Sequence, residues 1–148
     1  MKKSIFVCVI LSFVFISSVF AQKDPSSLVG VWQYCTEVQQ KSGDDVMVCS
    51  PIWKVLHADG KFCQFMLVYK DGMCAMTHEG TYEVATEDTY VEHIVSHAVD
   101  KDLIGTKTVL HYRFINEDMV AFTYKLQGRN EEFREVWRRV KNLVESKK

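Results

Sequence analysis

The sequence has little with which to bend or break its chain, only two Pro and seven Gly in 148 residues. So little Pro excludes a linker or polyproline protein, and 47% hydrophobic residues excludes a disordered one. Neither charge is in excess, with 18 Lys+Arg against 19 Asp+Glu. A protein that tracks phosphates needs a basic excess or stripe, so nucleic acid is not an expected partner. There is no Gly-x-Ser-x-Gly elbow, no phosphate-cradling glycine loop and no His-Glu-x-x-His. Cys-x-x-Cys and Cys-x-x-His pairs are missing too. The sequence therefore predicts no metal, no cofactor and no enzymatic activity.

Long apolar runs are also scarce, and the only one opens the chain. Lys2 and Lys3 precede an apolar stretch from Ile5 to Ile16, and Val19-Phe20-Ala21 offers small residues at a cleavage position. Residues 1–21 read as a secretory signal, and Ser12, Ser17 and Ser18 interrupt them as a membrane span. Cys8 lies inside the stretch, which is not where a lipid-modified cysteine would stand. Processing would remove two Lys and no acid. The expected product, residues 22–148, is one small, mildly acidic domain, periplasmic or extracellular, with no transmembrane anchor.

Four cysteines remain in an exported chain, which points to disulfides with three possible connectivities. The segment Gln40-Lys41-Ser42-Gly43-Asp44 has hairpin composition, and a three-residue loop at Lys41 to Gly43 sets Cys35 opposite Cys49. Opposed Cβ atoms lie about 4.5–5.5 Å apart, near disulfide reach. A turn at Asp71-Gly72 leaves Cys63 and Cys74 several residues out of register, so they are the weaker disulfide candidates and could remain two buried thiols.

The chain after the signal reads as strands: 29–39, 46–49, 52–58, 61–69, 80–85, 89–97, 106–115, 119–126 and 131–140. Turn signals between them recur every 8–12 residues or so, as in an antiparallel barrel or sandwich. The last segment is ambiguous, because Phe133, Val136, Trp137, Val140 and Val144 also have helical spacing behind a capping Asn130. Register favours a strand. A turn at Asn116 to Asp118 pairs Tyr112 with Phe122, and a loop at Gln127 to Asn130 pairs Tyr124 with Phe133 and Val120 with Trp137. A turn near Lys101 to Leu103 pairs Tyr90 with Phe114, Ile94 with Leu110 and, on the other face, His93 with His111. Four strands then share one aromatic face, as cross-strand pairing requires. The expected fold is all-β, an antiparallel up-and-down barrel of about eight strands.

Gly30-Val31-Trp32 on the first strand and Trp137-Arg138-Arg139 on the last resemble the lipocalin (calycin) pattern. The span from Gly80 to Ile94 further resembles small exported lipocalin-like proteins of unknown function from Bacteroidetes. The resemblance implies that Trp32 plugs one end of the barrel and that Arg138 or Arg139 packs against it. A glycine permits close approach where a barrel narrows, and a guanidinium over an indole is a favourable cation–π pair. Gly30, Trp32, Trp137, Arg138 and Arg139 are thus expected to close the fold.

The shared face carries the functional expectation. Tyr90, Tyr112, Phe114, Phe122, Tyr124 and Phe133 line it, with Glu92 and Glu135 in the same alternation. A barrel of about eight strands is either filled or holds one small ligand. Phenols and a carboxylate among aromatics suit a small apolar or amphipathic molecule. In a filled barrel, Glu92 would sit at a wet rim or bond a tyrosine, and the outer surface would meet a protein or glycan partner. The least favoured reading is an enzyme using Glu92 as acid or base. His93 and His97, four residues apart on a strand, stand about 13 Å apart, too far to share an ion. His57 and His78 have no supporting neighbours in the sequence.

Overall fold

The computed structural model describes residues 25–40, 43, 45–70 and 72–141. The proposed signal segment lies outside them. Eight strands follow one another: β1 (Gly30–Gln39), β2 (Asp45–Leu56), β3 (Lys61–Val68), β4 (Met73–Thr86), β5 (Thr89–His97), β6 (Lys107–Asn116), β7 (Met119–Lys125) and β8 (Glu132–Arg139). Each pairs antiparallel with its neighbour, and β8 returns to β1, so the sheet closes as an up-and-down barrel. Closure removes the exposed edge that a terminal helix would have left on β7. The segment with two possible periods is therefore a strand.

Most of the expected hairpins form. Tyr112 opposes Phe122, Tyr124 opposes Phe133 and Val120 opposes Trp137. Cys35 opposes Cys49 and is disulfide-bonded to it. The two segments expected at 46–49 and 52–58 form the single strand β2, whose register to β1 shifts beyond Gln33. Pro51 lies in the irregular stretch, where its missing N–H removes no ladder bond. β4 begins seven residues earlier than expected, at Met73, because β3 supplies partners from Lys61 to Val68 for residues that show no clean alternation.

Two expectations fail. Tyr90 opposes Leu110 rather than Phe114, and Ile94 bonds Thr106 rather than pairing with Leu110. A 3-10 turn at Lys101–Leu103, capped by Asp100, leads into Gly105, whose positive φ (+81°) turns its N–H onto the Ile94 carbonyl. The ladder between β5 and β6 therefore closes at Ile94, while β5 continues beside β4 to His97. The slip is four residues, an even number, so the aromatic face stays inside. His111 consequently opposes Thr89, and His93 opposes Lys107. The second concerns burial: Cys63 and Cys74 do remain free thiols, but Cys63 is only half-buried and Cys74 is exposed. Both stand on the β3–β4 ribbon, opposite Glu79 and Leu67.

Candidate functional site

One end of the barrel is filled. A short 3-10 turn (Pro25–Leu28) brings Leu28 onto Trp32, and the indole Nε1 donates to the Leu28 carbonyl at 2.8 Å. The Arg139 guanidinium lies 4.1 Å from the Trp32 ring centroid. It also donates to the carbonyls of Val29 and Ser27. Gly30 (φ +144°) passes so close that an added Cβ would stand 2.8 Å from Arg139 Nη1. Of the two candidate arginines, Arg139 therefore packs on Trp32, and Arg138 is exposed. Tyr90, Phe122, Tyr112 and Leu56 complete this packed half, with Phe114 partly buried against it.

Above it sits an ion pair that the sequence did not advertise. Lys54 Nζ donates to Glu92 Oε1 at 2.8 Å, both side chains 5% exposed or less. The Tyr90 hydroxyl donates to the same oxygen at 2.7 Å. The ammonium also lies 5.4 Å from the Trp137 ring centroid and 5.7 Å from that of Phe62. Glu92 is therefore neither an unpaired carboxylate nor a wet one. Burial, followed by the Glu92 charge, holds the Tyr90 hydroxyl well above its ordinary pKa, so it remains a donor.

The cross-strand row that contains Lys54 continues through Gln64 and His78 to His97. His78 on β4 and His97 on β5 stack at 5.1 Å, so His78 does have a neighbour. Burial, helped by Lys54, lowers the pKa of His78 to about 4. His97 Nδ1 accepts the N–H groups of Val99 and Asp100, which places its proton on Nε2.

At the opposite end the inward positions are half-open. Tyr34, Tyr124, Phe133 and Glu135 are all of intermediate exposure. Glu135 accepts from the Tyr124 hydroxyl at 2.7 Å and from Trp137 Nε1 at 2.9 Å. Trp137, expected as part of the closure, instead bridges the middle of the barrel to this mouth. Tyr34 meets it edge-on at 5.4 Å, and Tyr124 stacks on Phe133 at 5.5 Å. Burial and then Glu135 raise the pKa of Tyr34, and the same two causes, in that order, raise that of Tyr124, so both stay neutral phenols. Among the described residues no group of three or more metal-ligating side chains converges, and no helix is long and apolar enough to cross a membrane.

A family model described as a domain of unknown function, DUF4488, matches residues 27–148. The chain belongs to that family. The match begins beside the Leu28–Trp32 plug and runs to the last residue, so the family spans every strand of the barrel. No curated protein matches the chain.

Proposed function

We propose that this family member is an exported, lipocalin-like binding protein that holds a small amphipathic molecule non-covalently in the mouth of its barrel. The observation that carries this reading is the asymmetry of the interior. One end is packed shut by Trp32 and Arg139, while the other leaves Tyr34, Tyr124, Phe133 and Glu135 half-open on inward positions. An apolar lining with a few placed polar groups is the usual make-up of a small-molecule site. The Cys35–Cys49 disulfide favours an oxidising compartment and so supports export. Glu92 is held by Lys54 and Tyr90, which favours binding over acid–base chemistry at that carboxylate.

Titration with Nile red, a neutral amphipathic dye, tests this reading. We expect a saturable rise in fluorescence at one dye per chain, and native mass spectrometry of freshly purified protein should show a carried mass. No saturable rise and no carried mass would overturn it. A second reading, a barrel that works from its outside, is favoured by the Trp53–Phe65 stack on β2 and β3, with Met76 half-exposed beside it. It also draws on a groove of about 370 Å³ lined by Lys107, Val109, His111 and Lys125.

A further inference from the structure

Among the described residues, the charges inside the barrel do not balance. Lys54 and Glu92 neutralise each other at 2.8 Å, and the neighbouring His78 is uncharged at neutral pH. Among the described residues, Glu135 accepts only from a phenol and an indole, two neutral donors. Among the described residues, no Lys, Arg or His nitrogen forms an ion pair with it. Its negative charge is therefore solvated by hydrogen bonds, and no described cation compensates it. A half-buried carboxylate in this condition attracts a cation more strongly than one in open water.

What surrounds Glu135 narrows the kind of cation. Tyr34 and Trp137 form an edge-to-face pair on one side, and Tyr124 and Phe133 form a stacked pair on the other. Aromatic faces hold substituted ammonium groups by cation–π attraction while tolerating the apolar substituents around the nitrogen. A hard metal ion would ask for more oxygen ligands than one carboxylate already bonded twice can give. Among the described residues, the interior ammonium that an anionic head group would need is already spent on Glu92.

We infer that the mouth of the barrel selects a small organic cation, an amine or quaternary ammonium carrying an apolar tail, with Glu135 as its counter-ion. This deepens the proposed function and rests on it. The test uses three probes with the same eight-carbon tail, octyltrimethylammonium, 1-octanol and octanoate, each displacing Nile red from the whole protein.

On the native chain the ammonium should displace dye at about a tenth of the concentration that octanol needs, and octanoate should be weakest. Glu135→Gln should bring the ammonium level with octanol, the ratio of the two displacing concentrations being the readout. Tyr124→Phe, which removes one neutral donor from the carboxylate, should keep the preference for the cation and so separate charge from mere disturbance of the mouth. Equal displacement by ammonium and octanol on the native chain would overturn the inference and leave the binding reading intact. Retention of the preference in Glu135→Gln would do the same. Failure of Nile red to bind, with no carried mass, would overturn both.

Discussion

Lys54 and Glu92 come from strands β2 and β5, 38 residues apart in the chain, and meet inside the barrel with Nζ 2.8 Å from Oε1. Removing one partner leaves the other charge buried and uncompensated, which costs about 3–5 kcal/mol. Lys54→Met and Glu92→Gln should each lose stability on that scale in urea denaturation. The triple variant Lys54→Met/Glu92→Met/Tyr90→Phe removes both charges and the hydroxyl that depends on them, and should recover most of the loss. A single variant as stable as the parent would mean that the pair is not buried.

The closed end gives a second test. Trp32→Ala removes a side chain 1% exposed and should cost about 3–5 kcal/mol. Gly30→Ala should cost about 1–3 kcal/mol, because it strains a left-handed backbone and pushes a methyl group against Arg139. Arg138→Ala should be nearly neutral. A loss at Arg138 matching that at Arg139→Ala would assign the stacking wrongly.

Cysteine chemistry is a third. Non-reducing peptide mapping should find Cys35 joined to Cys49, and reduction should lower the melting temperature. Closing a loop of about 15 residues contributes about 3 kcal/mol in the chain-entropy model. Of the free thiols, exposed Cys74 should alkylate first. Cys63 should lag, since burial and then the Glu79 charge raise its pKa and thin its thiolate.

His78 predicts a pH dependence. Its folded pKa, about 4, lies below the ordinary 6.5. Between those values the unfolded chain binds the proton and the folded chain does not, so stability falls as pH drops from about 6.5 to 4. The shift corresponds to roughly 3 kcal/mol, complete by about pH 4. Melting curves across this window should flatten in His78→Gln. An equally steep fall in that variant would place the titrating group elsewhere.

Local turn chemistry made much of the fold legible. The Gly43 hairpin set Cys35 against Cys49, and the Asn116 and Gln127 turns set the register of β6 to β8, because a short loop leaves few ways to pair its strands. Glu135, Tyr124 and Phe133 were visible as a shared face for the same reason. The connection from β5 to β6 was longer and contained its own 3-10 turn, so sequence spacing misplaced Tyr90 against Phe114 by one four-residue step.

The sequence by itself determined an all-β chain, one disulfide and which face of each strand turns inward, since these follow from alternation and tight turns. Only the closed barrel decided that Arg139 rather than Arg138 covers Trp32, that Lys54 neutralises Glu92, and that His78 lies against His97. Lys54 alone on β2 reads as an ordinary polar residue. Its burial becomes possible only when Glu92 arrives across the interior, because a lone buried ammonium would be too costly to keep. The partner that makes each of these side chains intelligible comes from another strand, brought there by the curvature and closure of the sheet rather than by neighbouring sequence.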